Sequence, residues 1–194
     1  MDAGVDLIAD PEALAEAARA VVALAPQLQL FDAVIVGAFG DPGREALSRL
    51  LEKIPVVGIG EASMTEAASI SGGRFSIATT TPKLKESIRG VAASCGCGAA
   101  LLSVRTPEGL GGDDDAKDVD HSATMALMAD PHATEEALAT LIHQATQIDG
   151  AKAVIIGGGP LARAARALAP RFPKSTIIEP IPAAVARVAR LLGG

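Results

Sequence analysis

The chain has 194 residues, 49% of them hydrophobic, and a formal charge of -6 from 17 Lys and Arg against 23 Asp and Glu. That is enough apolar material for one large domain or two small lobes, and the acidic balance excludes a cationic footprint for nucleic acid or an anionic membrane surface. Trp and Tyr are absent and Phe occurs four times, which excludes base-stacking platforms and aromatic cages. No stretch approaches the roughly 20 continuous apolar residues of a membrane helix, and the acidic start MDAGVDLIAD has no basic leader. The expectation is a cytoplasmic protein whose partners are small molecules and copies of itself, a homo-oligomer.

In chain order, Asp10-Pro11 opens a helix whose core stripe is Leu14, Ala18, Val21 and Ala25. Short apolar runs at 33–37, 55–59, 75–79, 100–104, 153–157 and 175–178 are rich in Val and Ile and mostly lack polar alternation, as parallel strands covered on both faces do. Alanine-rich helical patterns separate them, so the chain reads as a series of βα units. Asp41-Pro42, Thr81-Pro82, Asp130-Pro131 and Glu179-Pro180 repeat the helix-start device of an acceptor followed by Pro. Leu138, Leu141, Ile142 and Ala145 form a second core stripe. Cys95 and Cys97 stand too close for an ordinary structural disulfide and too few for a metal site, which fits a reducing compartment.

One segment, 106–124, breaks the beat: it is rich in Gly and Asp and reads as a mobile acidic loop. Asp118, Asp120 and His121 within it have metal-ligand chemistry, but no second cluster completes a coordination sphere, and no metal is expected. Of the three histidines, His132 falls at a helix start and His143 within a helix, leaving His121 as the one able to swing towards a cleft.

Open parallel sheets bind ligands beyond the carboxyl ends of their strands. Three ends stand out: VIVGAFGDPG, FSIATTTPK and AVIIGGGPLA. Thr79, Thr80 and Thr81 bring hydroxyls and amides to a helix start, a seat for a carboxylate or imide oxygen; the plainer alternative is that Thr81 caps its helix while the other two finish a strand. GGGP lacks the lysine of a phosphate loop and the spacing of a dinucleotide turn, leaving a tight turn or close backbone approach to a small ligand.

FDAVIVGAFGDPG, IPVVGIGEASMTEAASISGGRFSIATTTPK, LLSVR and AKAVIIGGGPLA, in this order and spacing over roughly residues 30 to 192, resemble the Asp/Glu/hydantoin racemase family and most of all its hydantoin racemases. The resemblance implies an α/β fold of two similar Rossmann-like lobes with parallel sheets facing across a cleft: residues 1–74 plus 180–194 as the first lobe and 75–179 as the second. It implies cofactor-independent proton transfer at an α-carbon of an amino acid or derivative, on a small carboxylate or hydantoin-like imide, with two cysteines opposed across the substrate. Those cysteines fall here on Ala38 and Gly158, neither of which carries a proton. Phe39, Gly40, Thr79, Thr80, Gly157 and Gly159 are the implied substrate-binding positions. Cys95 and Cys97 precede a strand at its amino end, away from the cleft mouth. The family also begins with a strand that residues 1–30 do not show, which would leave a sheet edge open to a partner copy. The leading reading is a racemase-type isomerase with unorthodox proton carriers; the alternative is a non-catalytic or altered-activity relative that binds such a ligand, or a lyase or decarboxylase of the same family.

Overall fold

The structure is a computed structural model that describes residues 7–110 and 121–193. Its strands are β1 (Val34–Val36), β2 (Val56–Gly58), β3 (Phe75–Ala78), β4 (Leu101–Arg105), β5 (Ala153–Ile156) and β6 (Thr176–Ile178). The helices are α1 (Pro11–Ala23), α2 (Ala25–Leu28), α3 (Arg44–Leu50), α4 (Ile59–Ser71), α5 (Lys85–Ser94), α6 (Ser122–Ala129), α7 (Pro131–Gln147), α8 (Ala162–Leu168) and α9 (Pro180–Leu192). All six apolar runs form strands, five of them trimmed by one or two residues and the fourth shifted by one to end on Arg105; Ile59 leaves its run to start α4. Every strand pairing is parallel, in a small sheet β1-β2 and a four-stranded sheet in the order β4-β3-β5-β6. The fold is α/β with parallel sheets.

Helix α4 lies between the two sheets. Its buried positions run nearly all the way round, through Ile59, Gly60, Ala62, Ser63, Met64, Ala67 and Ser71, and small side chains let β2, β5 and α9 approach closely. Its buried Ser63 hydroxyl donates to the Ile59 and Gly60 carbonyls, so that side chain is satisfied within the helix. The resulting core joins Val57, Ile59, Met64, Phe75, Ile77, Ile88 and Ile155 in one apolar cluster. On the other face of the large sheet, Leu138, Leu141, Ile142 and Ala145 of α7 pack with Leu161, Ala165 and Leu168 against Val154 and Ile156, as the stripe requires. The first stripe is shallower: Leu14, Ala18 and Val21 on α1 are only partly buried, and its last member, the buried Ala25, falls at the start of α2 instead. The carboxy-terminal α9 returns to pack on α4 and on the small sheet.

Two of the expected helix starts behave as read. Asp10 Oδ1 accepts from the Ala13 amide and Asp130 Oδ1 from those of His132 and Ala133. Asp41 and Thr81 do not, and this corrects the sequence reading. Asp41 takes a left-handed conformation (φ 48°), and α3 starts only at Arg44, behind Gly43 at φ 71°. Thr81 precedes a 3₁₀ turn, Pro82–Leu84, and caps nothing; its hydroxyl lies 3.1 Å from that of Thr79. Glu179 gives no side-chain cap either, and pairs with Arg166 at 2.8 Å.

At the far edge, Arg105 of β4 holds Asp149 through two contacts of 2.6 and 2.7 Å, and Ser103 donates to the same carboxylate at 2.6 Å. These partners hold the Asp149 carboxyl below the usual carboxylate range, the Arg105 hydrogen bond contributing most. Truncating the fully buried Ile142 to Ala is expected to cost about 2–5 kcal/mol in urea unfolding, against less than about 0.5 kcal/mol for Ile148→Ala, whose side chain is exposed.

Candidate functional site

The carboxyl ends of β1, β3 and β5 converge on one cavity of about 250 Å³. The loop after β1 supplies Gly37, Ala38, Phe39 and Gly40 to its wall, the turn after β3 supplies Thr80 and Thr81, and the loop after β5 supplies residues 157–161. Leu7, Ile8, Leu84, Ile88 and Met128 complete an apolar surround. Ala38 and Gly158, placed apart in sequence, thus share one wall system with Phe39, Gly40, Thr80, Gly157 and Gly159. Thr79 does not line the cavity: it is buried, its amide donating to the Arg105 carbonyl and its hydroxyl engaged with Thr81. Thr81 is the second threonine that lines the wall.

The two glycine-rich loops touch through Phe39. A side chain at position 157 would run into the Phe39 ring, 2.8 Å from its Cε1, so Gly157 is what lets the aromatic ring of one loop lie on the backbone of the other. Gly158 stands at φ 146° and ψ 131°, a backbone conformation L side chains rarely adopt. The backbone amides of Ala38, Phe39, Gly40, Thr80 and Gly158 donate to no acceptor among the described residues. Such unspent donors on a concave wall suit a carboxylate or an imide oxygen.

What holds the first loop is Asp41, 8% exposed. Its carboxylate reaches past its own helix and accepts from the Gly60 amide at 2.8 Å and the Glu61 amide at 2.6 Å, capping α4. There is no room for anything larger than Gly at 58, where a Cβ would meet the Asp41 carboxylate, or at 60, where it would meet the Phe39 carbonyl. Around this cap, Glu61 is held by Arg44 of α3 at 3.0 Å and Arg187 of α9 at 2.9 Å. Burial pushes the Asp41 carboxyl up to about 6, against the two amide hydrogen bonds and the Arg44 charge that favour its ionised form.

No side chain on the described cavity wall titrates as an acid or base near neutral pH. Cys95 and Cys97 are free thiols at the amino end of β4 and neither lines the cavity; burial pushes the Cys95 thiol up to about 12, so it stays protonated. His121 is engaged with Asp10 at 3.0 Å and does not reach the wall. Asp118 and Asp120 lie outside the described residues, and among those described no group of three or more His, Cys, Asp or Glu could hold a metal ion. No described helix is long and apolar enough to cross a membrane.

Because its folded pKa is raised, Asp41 contributes most to stability below the unfolded carboxyl value of 3.8 and loses that contribution as pH rises through about 6. A carboxyl-carbon NMR titration is expected to place its midpoint near 6, and the stability difference between the parent and Asp41→Asn should shift across the same range. A midpoint near 4 contradicts the desolvated setting.

A family model described as Asp/Glu/hydantoin racemase matches residues 2–188. The hydantoin racemase of Paenarthrobacter aurescens is 31% identical over 161 residues, covering 83% of this chain and 61% of that protein. The hydantoin racemase of Rhizobium meliloti is 31% identical over 170 residues, 86% of this chain and 63% of its own length. This chain therefore spans about three fifths of the length of these relatives. Among solved structures, the allantoin racemase from Klebsiella pneumoniae superposes with a TM-score of 0.81 at 27% identity, covering 99% of this chain and 73% of that one. On the family match over nearly its whole length and on these identities, the chain belongs to the Asp/Glu/hydantoin racemase family.

Proposed function

We propose that the cavity between the β1 and β5 loops binds a small cyclic imide or carboxylate derived from an amino acid, and that the chain keeps the recognition half of a racemase site without its two-thiol proton transfer. The observation that carries this reading is the wall itself: unspent amides and threonine hydroxyls at the strand ends, with Ala38 and Gly158 where the family resemblance calls for thiols. Ligand oxygens would accept from the amides of Ala38, Phe39 and Gly158 and from the hydroxyls of Thr80 and Thr81, while Leu7, Ile8, Ile88 and Met128 cover an apolar substituent. Racemisation removes a proton from one face of the α-carbon and returns one to the other, so it needs a carrier on each side. A one-sided lyase or decarboxylase needs at least one, and neither loop has it. The glycine-only backbone at Gly158 supports the same reading, because the loop sits in a conformation that a cysteine there would strain.

The experiment is to incubate the protein with single-enantiomer 5-methylhydantoin, aspartate and glutamate in deuterated water, following α-proton exchange by NMR and binding by calorimetry. Binding of at least one ligand without exchange above the spontaneous rate is expected; protein-dependent exchange contradicts the account. Ala38→Cys restores one carrier on an ordinary backbone and is expected to bring exchange without inversion, since the proton leaves and returns on one face. Gly158→Cys is expected to cost about 1–3 kcal/mol of stability from its backbone conformation alone.

A further inference from the structure

Three stretches distant in sequence meet over the cavity. Leu7 and Ile8 come from the segment before α1, Thr80 and Thr81 from the turn after β3, and Met128 from α6. Helix α6 has little hold of its own, since Thr124 is its one buried residue. Side-chain contacts at both of its ends and in its first turn help to seat it against α7. The Thr124 hydroxyl donates to the Thr80 carbonyl at 3.4 Å, and the Thr134 hydroxyl of α7 donates to the Leu127 carbonyl at 2.6 Å. At its amino end, His121 Nε2 lies 3.0 Å from Asp10 Oδ2, across 111 residues of chain. The other oxygen of Asp10 accepts from the Ala13 amide at 2.9 Å, so one carboxylate both caps α1 and tethers α6. Met128 also lines a second cavity of about 130 Å³, which shares Pro160 and Leu161 with the first and continues to Glu135 and Arg163. Met128 thus borders both spaces together with Pro160 and Leu161, and it is the one of the three whose place depends on where α6 is seated.

We propose that His121 and Asp10 are positioning residues of the binding site: their contact seats α6 so that Met128 closes the cavity, and it sets how fast molecules reach Ala38. The inference rests on reading this cavity as the ligand site, but its test needs no ligand. A helix this shallow opens locally at little cost, so the loss of one tether among several shifts the fraction of time it is displaced.

The probe is the reaction rate of Ala38→Cys with a small maleimide, with the parent protein, carrying Cys95 and Cys97, as background. Adding His121→Ala is expected to raise the rate about fivefold or more at an unchanged melting temperature. Asp10→Ser, which still caps α1 but cannot reach His121, should do the same, whereas His121→Gln, which keeps a donor, should return the rate to within about twofold. His132→Ala, on exposed surface away from the contact, should leave it unaltered. Labelling unchanged in both His121→Ala and Asp10→Ser overturns the proposal, as does a rise matched by the buried Cys97, which would mean global opening. If His121→Ala does not fold, Asp10→Ser decides the matter alone. Failure of the ligand to bind in the preceding experiment would leave this rate comparison standing, so the two readings fail separately.

Discussion

The buried carboxylate of Asp41 is the interaction on which the site depends. It belongs to the loop after β1 yet caps α4, the helix wedged between the two sheets, so the position of one cavity wall is referred to the centre of the core. Burying a charge in this way is tolerated because two backbone amides and the start of a helix face it and Arg44 stands nearby. The consequences spread by contact. The cap leaves room only for Gly at 58 and 60, the Phe39 carbonyl lies against α4, and the Phe39 ring crosses to Gly157 in the opposite loop. A single capped helix end therefore fixes the spacing between the loops that bear Ala38 and Gly158.

With that spacing fixed, the described cavity wall presents backbone donors instead of titratable side chains. Glycines and alanine bring main-chain amides to the ligand space without steric cover, which favours recognition of planar, oxygen-rich groups. Proton transfer requires something further, a titratable atom on each side of an α-carbon, and the described wall offers none. Backbone donors and proton carriers are separate requirements, and in these two loops they would fall on different residues.

The strands and the α7 stripe were legible in the sequence because apolar runs and three-to-four-residue periodicity are local signals. The convergence of the VIVGAFGDPG and AVIIGGGPLA ends was legible through the rule that parallel sheets bind ligands at their carboxyl ends and through the family resemblance. What escaped were partnerships made across the chain. Asp41 followed by Pro looks like a cap for its own helix, and nothing nearby reveals that its acceptors serve amides 19 and 20 residues on. Thr79 and Thr81 looked alike in sequence, but a 3₁₀ turn follows Thr81, which lines the wall, while Thr79 is buried and does not. The His121–Asp10 contact joins a loop end to a helix start 111 residues away, and its only sequence signal was a titratable residue beside an otherwise polar loop.

The central claim is that both glycine-rich loops and the threonine turn form one ligand surface. Amide chemical-shift mapping during titration with 5-methylhydantoin tests it most directly. The account predicts shifts concentrated at Ala38, Phe39, Gly40, Thr80, Thr81, Gly158 and Gly159, with α7 and α9 silent. Shifts confined to one loop, or centred away from the cavity, would contradict it.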